Sequence, residues 1–73
     1  MIYKIDIIFD GDDDKQLKTV TSSSFLDVIK KTEEFFNMHL NSSPEILSAT
    51  IQDGKDTHDI KLKIIHTLNE RRN

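Results

Sequence analysis

The most constraining feature of this sequence is a single helix-periodic segment in mid-chain, flanked on both sides by segments that alternate like β-strands. Ser24 can begin a helix, because its hydroxyl can accept a hydrogen bond from a free N–H of the first turn, and Asp27 follows three residues later. Apolar side chains then recur at helical spacing, at Phe25, Val28, Ile29, Phe36 and Leu40. Pro44 prevents any continuation. The pattern predicts a helix over residues 24–40.

Two strands are predicted before this helix. Residues 2–9 are rich in Ile, Tyr and Phe, which favour pleated and half-buried positions. Their alternation places four side chains on one side of the strand: Tyr3, Ile5, Ile7 and Phe9. The segment 10–14, made of Asp and Gly, breaks this strand as a turn does. A weaker run over residues 16–21 then completes a hairpin.

Two more strands are predicted after the helix. Residues 46–52 alternate, with Leu47, Ala49 and Ile51 on one side. The dipeptide Asp53-Gly54 is a strong hairpin signal. The last run, residues 58–66, places lysines between three apolar side chains that share a face: Ile60, Leu62 and Ile64. Residues 69–73 are interpreted as a frayed tail.

Residues 1–68 are therefore predicted to form one two-layer α+β domain with the order β-β-α-β-β and one helix on one face of a four-stranded, mostly antiparallel sheet. The strand order 2-1-3-4 makes every neighbouring pair antiparallel and is favoured here. The alternative order 2-1-4-3, a β-grasp-like arrangement, would place the last strand parallel to the first. Because the chain has 73 residues and no cysteine, a small apolar core must provide its stability without disulfides.

No catalytic, cofactor-binding or metal-binding residue is predicted. The acidic cluster Asp10 and Asp12–Asp14 lacks the spacing of a calcium loop and is interpreted as a solvated turn. His58 and His66 are predicted at opposite ends of one strand, about 27 Å apart at ~3.3 Å per residue, too far to share a metal ion. The sequence contains neither a G-x-S-x-G elbow nor a phosphate-binding glycine loop. We therefore expect a protein that is not an enzyme, and no small-molecule substrate is evident.

Charge and hydropathy limit the classes of partner. The formal net charge is −3, from 10 basic and 13 acidic residues, whereas dedicated nucleic-acid binders are usually basic. No apolar run approaches the roughly 20 residues of a membrane span, and the first residues lack the features of a signal peptide. We therefore expect a soluble, cytoplasmic protein. The abundance of Asp, Lys, Ile and Asn is typical of small proteins from AT-rich genomes and suggests a phage or mobile-element origin.

The side of the sheet turned away from the helix is predicted to carry many apolar residues for a surface that meets water. If the odd-numbered residues of the first strand face the helix together with Leu17 and Leu47, five branched side chains remain on the other side: Ile2, Ile8, Val20, Ile46 and Ile65. Lysines share that side. The partner-binding residues predicted from this pattern are Ile2, Lys4, Ile8, Lys61, Lys63 and Ile65. The same aliphatic residues also suit an ordinary strand surface, because β-branched side chains favour strands with or without a partner.

The leading hypothesis is a small protein-binding module, such as an inhibitor, adaptor or regulatory subunit, with a homodimer as its simplest form. Two alternatives stay open. One is an acidic decoy that mimics a nucleic acid through Asp10–Asp14, Asp53, Asp56 and Asp59, although the two hairpin loops are predicted at opposite ends of the sheet. The other is weak nucleic-acid binding through the lysine-bearing sheet face, with an affinity that falls as salt rises.

Overall fold

Four strands form one antiparallel sheet, and two helices pack against it, in the computed structural model, which describes residues 1–72. The elements follow in the order β1 (Ile2–Asp10), β2 (Lys15–Ser22), α1 (Phe25–Met38), a short 3-10 turn (Leu40–Ser42), β3 (Glu45–Asp53), β4 (Asp56–Asp59) and α2 (Lys61–Arg71). The strand order is β2-β1-β3-β4, with every neighbouring pair antiparallel. The predicted α+β class and the order 2-1-3-4 are confirmed, and the order 2-1-4-3 is wrong.

The central strand β1 has the side-chain phase that its alternation predicts. Ile5 and Ile7 are fully buried, whereas Ile8 is half-buried and Ile2 is exposed. The buried side chains join a single apolar core made of Ile5, Ile7, Val20, Val28, Ile29, Ala49, Ile64 and Leu68. Full burial of one isoleucine stabilises a fold by about 2 kcal/mol, so this core is the main stabilising feature of a chain without disulfides.

Helix α1 begins where the capping pattern predicts and ends slightly earlier than the predicted residue 40. The Ser24 hydroxyl accepts a hydrogen bond from the Asp27 N–H at 3.3 Å. At the other end, the His39 N–H donates to the carbonyl oxygen of Phe35 at 3.1 Å, which closes the last turn. The 3-10 turn follows, and Ser43 then takes the left-handed backbone conformation (φ 49°) that redirects the chain into β3.

The chain after the second hairpin differs from the prediction. The sequence predicts a strand over residues 58–66, but β4 spans only Asp56–Asp59, and α2 occupies Lys61–Arg71. Two helices therefore pack on the sheet where one was predicted. Residues 69–71 of the predicted tail 69–73 are helical, and Asn73 lies outside the described residues.

Helix α2 forms because its apolar residues also recur at helical spacing. Ile60, Ile64 and Leu68 are each four residues apart, so a helix places them on one side, and all three pack in or against the core. The carboxylate of Asp59 accepts a hydrogen bond from the Lys61 N–H at 2.8 Å, which satisfies a free donor at the helix start. A strand over the same residues would leave Leu68 without a place in the core.

The two helices lie on the same side of the sheet. Ile64 and Leu68 of α2 belong to the same core as the buried residues of α1 and β1. Farther along α2, the Arg71 guanidinium donates from Nε to the Glu33 carboxylate of α1 at 2.8 Å. Sheet and helices thus form two layers, and the other side of the sheet receives neither helix.

Strand β2 has the opposite phase from the predicted one. Leu17 was expected to face the helix and Val20 to face away, but the register pairs Val20 with Ile5 and Leu17 with Ile8. Because directly opposed residues of antiparallel strands share a face, Val20 is buried and Leu17 is 60% exposed. Both of these predicted orientations are wrong.

A β-bulge changes the phase of β3. The register pairs Asp6 with Ser48 but Ile7 with Ile46, so Leu47 is an extra residue without a direct partner. As a result, Ile46 turns to the helix side and packs against the core, while Leu47 is exposed. The prediction that Leu47 faces the helix and Ile46 faces away is therefore wrong.

The ion pair between the helices gives the fold a pH dependence. The hydrogen bond from Arg71, assisted by its charge, lowers the pKa of the Glu33 carboxyl below its usual range. A carboxylate with a lowered pKa stabilises the fold above its unfolded pKa of about 4.3, and this contribution is lost as the pH falls through the folded value. We therefore expect Glu33→Gln to lower the thermal midpoint at pH 7 but to have little effect in strong acid. Circular dichroism melts from neutral to acid pH measure this difference.

The variant Arg71→Gln serves as the matched control, because it removes the other half of the same ion pair and should reproduce the loss at pH 7. A Glu33→Gln protein whose melting temperature follows the pH in the same way as the parent protein would contradict the prediction.

Candidate functional site

One side of the sheet is uncovered in the described part of the chain. The even-numbered residues of β1 and the residues paired with them point to this side, because both helices occupy the other. We call this surface the open face. It consists of Ile2, Lys4, Asp6 and Ile8 of β1, Leu17, Thr19 and Thr21 of β2, Glu45, Ser48, Thr50 and Gln52 of β3, and Thr57 and Asp59 of β4.

The six residues predicted to bind a partner do not lie on one surface. Ile2, Lys4 and Ile8 lie together on the open face, as the phase of β1 predicts. The other three are carried by α2 on the helix side: Lys61, Lys63 and Ile65. Their predicted position on a fourth strand is wrong, because that segment is helical. The structure divides the predicted surface into two parts.

The three predicted contact residues on α2 have different neighbours from those on β1. Lys61 and Ile65 line a groove of about 490 Å³ between α2, the second half of α1 and the first residues of β3. Its apolar lining comes from Phe36, Ile46, Ile65 and Leu68. The ammonium group of Lys63 lies 5.1 Å from the centre of the Phe25 ring, within the range of a cation–π contact. These contacts give Lys63 a packing partner within its own chain.

A hydrogen-bonded carboxylate lies at the centre of the open face. Asp6 accepts a hydrogen bond from the Thr19 hydroxyl at 2.7 Å and another from the Ser48 hydroxyl at 3.1 Å. These bonds tie both neighbouring strands to β1 through side chains. The carboxylate is thereby held in one position.

Apolar side chains flank this polar centre. Ile8 lies beside the exposed Leu17 on one side of Asp6, and the exposed Ile2 lies on the other. Leu17 is a candidate contact residue that the sequence interpretation placed on the wrong side. The length of the hairpin loop could have predicted its position. A loop over residues 11–14 pairs Asp10 with Lys15 and hence Ile8 with Leu17, which places Leu17 on the same side as Ile8.

The charges on this side of the sheet are mixed. Lys15 forms an ion pair with Asp10 at 2.6 Å, and the hydrogen bond and charge of that carboxylate raise the pKa of Lys15 above its usual range. Among residues 1–72, no ion pair involves Lys4. One unpaired ammonium group therefore lies in the same row of the open face as two threonines, Thr21 and Thr50.

Metal-binding side chains do not converge in the part of the chain that the structure describes. No group of three His, Asp or Glu residues there has the arrangement of a metal site. His58 lies on β4, whereas His66 lies on α2 and contacts Glu70 at 3.0 Å. The two acidic loops lie at opposite ends of the sheet, because β1 and β3 run in opposite directions.

Fold and surface together define a two-layer α+β protein with an antiparallel sheet that is covered on one side only. Comparison of the chain with known protein families, with curated proteins and with solved structures finds no match. Neither helix of the described chain has the length and apolar character that a membrane crossing requires.

Proposed function

We propose that this chain is a non-enzymatic protein-binding module, of the kind that serves as an inhibitor, adaptor or regulatory subunit, and that it binds its partner with the open face. The observation that supports this proposal most directly is the exposure of apolar residues on a sheet surface that no helix covers. Ile2 and Leu17 are about half exposed or more, and Ile8 lies between Leu17 and Glu45. Exposed apolar side chains grouped among polar ones are typical of protein contact surfaces.

The polar residues of the open face suit the rim of such an interface. Asp6 is held in place by two hydroxyl donors, so it can present a carboxylate of fixed orientation without a further loss of side-chain entropy. Lys4 adds a positive charge beside it. Charges placed in this way contribute more to orientation and specificity than to affinity. The proposed contact residues are therefore Ile2, Lys4, Ile8 and Leu17.

Neither nucleic-acid alternative gains support from the geometry. The acidic decoy requires its carboxylates to lie together, but the loop after β1 and the loop after β3 are at opposite ends of the sheet. Nucleic-acid binding through the sheet requires several lysines on the open face. Lys61 and Lys63 lie on α2 instead, and Lys18, which pairs with Ile7, lies on the helix side. Both remain weaker proposals than protein binding.

The proposal is tested by exchanging one open-face side chain. We expect Ile8→Lys to reduce binding of the cognate partner by about tenfold or more, because a charge at an apolar contact must be desolvated. Glu45 lies opposite Ile8, so the new lysine has a cross-strand partner and the fold tolerates it. Affinity purification from the native host, with quantitative mass spectrometry of what each variant retains, measures the change.

The matched control is Leu26→Lys, which places the same charge at a half-exposed leucine of α1 on the other side of the molecule. It should retain the partner as the parent chain does. Equal retention by both variants would move the binding surface away from the open face, and the absence of any enriched protein would remove the proposal altogether.

A further inference from the structure

The groove between the two helices lies on the helix side of the sheet, away from the open face. Its walls are the second half of α1, one side of α2 and the first residues of β3. Its volume of about 490 Å³ lies within the range of roughly 300–1,000 Å³ that is usual for small-molecule sites. The groove is therefore large enough to hold a small ligand.

Helix α2 has two rows of side chains, and only one of them serves the core. The core row consists of Ile60, Ile64 and Leu68. The members of the second row recur at intervals of four, four and three residues, so they share one side of the helix, and they line the groove. This row consists of Lys61, Ile65, Asn69 and Arg72, with a basic residue at each end.

The floor of the groove is apolar. Phe36 and Ile46 line it and also pack against the core. Ile65 is half-buried, yet among residues 1–72 it belongs neither to the core nor to the apolar residues that pack against it. The core does not account for Ile65, and a concave apolar surface of this kind suits the apolar body of a ligand.

The two carboxylates beside the groove already interact with other groups. Glu33 accepts the hydrogen bond from Arg71 at 2.8 Å, so this pair adds no net charge to the groove. The side chain of Glu45 points to the open face. On that face, the hydrogen bond and charge of Asp10, and then the charge of Glu45, raise the pKa of Lys15.

The charges that remain at the groove are both positive. Among residues 1–72, no ion pair involves Lys61 or Arg72. The Asp59 carboxylate accepts a hydrogen bond from the backbone N–H of Lys61, which leaves the ammonium group without an ion-pair partner in that part of the chain. Although the chain as a whole has a formal net charge of −3, this groove therefore favours an anion.

The spacing of the two cations limits the kind of anion. Lys61 and Arg72 are about 16 Å apart along the helix axis, at 1.5 Å per residue, so they do not form the cluster of charges that a phosphate dianion requires. The Arg72 end also lies beside the Glu33 carboxylate, which repels an anion. Lys61 is half-buried beside the apolar floor and can bind one carboxylate.

We propose that the groove binds a small apolar carboxylate of the medium-chain fatty acid class, with its carboxylate at the Lys61 ammonium group and its apolar body on Phe36, Ile46 and Ile65. The apolar body explains the apolar floor, and the carboxylate explains the half-buried cation at one end of it. The inference goes beyond the proposed function, because this groove and the open face lie on different sides of the sheet.

Titration of the complete chain with octanoate at pH 7, followed by calorimetry and by amide chemical shifts, tests the inference. We expect a dissociation constant between about 10 μM and 1 mM, with the largest shifts at the residues that line the groove. Octanol and octylamine should bind about tenfold more weakly or worse, because neither can accept a charge-assisted hydrogen bond from Lys61 as a carboxylate does. Octylamine binding as tight as octanoate binding, or no saturable octanoate binding up to about 10 mM, would overturn the inference.

A matched pair of variants isolates the proposed cation. Lys61→Gln should raise the dissociation constant of octanoate about tenfold but leave that of octanol within about twofold, which shows that the groove still forms. Lys63→Gln removes the same charge from the same helix, at a side chain that lies over Phe25 instead of in the groove, and should leave both constants within about twofold. Equal losses of octanoate affinity in the two variants would contradict the assignment of Lys61.

Two further observations separate this site from other occupants and from the proposed function. Ile8→Lys, on the open face, should bind octanoate as the parent chain does, whether or not it retains a protein partner. Loss of octanoate binding in this variant would place the site on the open face and overturn the inference. Shifts of the groove residues that depend on protein concentration, without octanoate, would assign the groove to a second copy of the chain and would also overturn it.

Discussion

Replacement of Ile7 by alanine is expected to lower the free energy of unfolding by about 3 kcal/mol, whereas the same change at Ile8 lowers it by about 1 kcal/mol or less. Ile7 is fully buried beneath the helices, so the substitution leaves a cavity as well as losing apolar contact. Ile8 is half-buried on the open face, where solvent fills the vacated space. Urea denaturation followed by circular dichroism measures both values.

The consequence for Ile7→Ala is large, because a chain of 73 residues has a total free energy of unfolding of only about 5–10 kcal/mol. The neighbouring position is the matched control, since both changes remove the same atoms from the same strand. Equal losses at the two positions, or a greater loss at Ile8, would contradict the assignment of Ile7 to the core side of β1 and of Ile8 to the open face. That result would also remove the basis for the open face as a contact surface.

Strand β1 and helix α1 were predictable because each carries a local signal that only one structure satisfies. Along β1, the run of Ile, Tyr and Phe favours a strand inside the sheet, and β1 lies between β2 and β3. For α1, Ser24 marks the start, and Pro44 limits the end. Short loops within the two hairpins then leave few topologies, and the antiparallel order 2-1-3-4 is one of them.

Helix α2 was not predictable from residues 58–66 alone, because that run satisfies two periodicities at once. Ile60 and Ile64 belong both to a strand that alternates through Leu62 and to a helix that continues to Leu68. Leu62 distinguishes the two, since a strand would bury it, but it is 82% exposed. A longer window that included Leu68 favours the helix, because helices usually run for ten residues or more and strands for fewer.

The candidate surface was half predictable for the same kind of reason. The phase of β1 correctly placed Ile2, Lys4 and Ile8 on one side. The phases of its neighbours depend on pairing, which no local pattern records. In β3, the bulge at Leu47 is a property of how two strands meet. Residues 47–52 alternate, but the adjacent apolar residues Ile46 and Leu47 leave open which of the two faces the core.

The substitutions Ile64→Ala and Leu62→Ala test whether residues 61–66 form a helix or the predicted strand. We expect Ile64→Ala to lower the free energy of unfolding by about 3 kcal/mol, because Ile64 is fully buried in the common core. Leu62→Ala should change it by about 0.5 kcal/mol or less, because the side chain is exposed and alanine favours helices. Thermal and urea unfolding of the two variants measure the difference.

The difference between the losses in free energy of unfolding at Leu62 and Ile64 distinguishes a strand from a helix. A strand with Ile60, Leu62 and Ile64 on one face requires comparable losses at Leu62 and Ile64, whereas a helix requires the loss at Ile64 only. Comparable losses would indicate that this segment is a strand of the sheet. Lys61, Lys63 and Ile65 would then lie beside the β1 residues, and the contact surface would again include all six predicted residues. A loss at Ile64 alone keeps that surface on β1 and β2, because α2 then carries its lysines to the other side of the molecule.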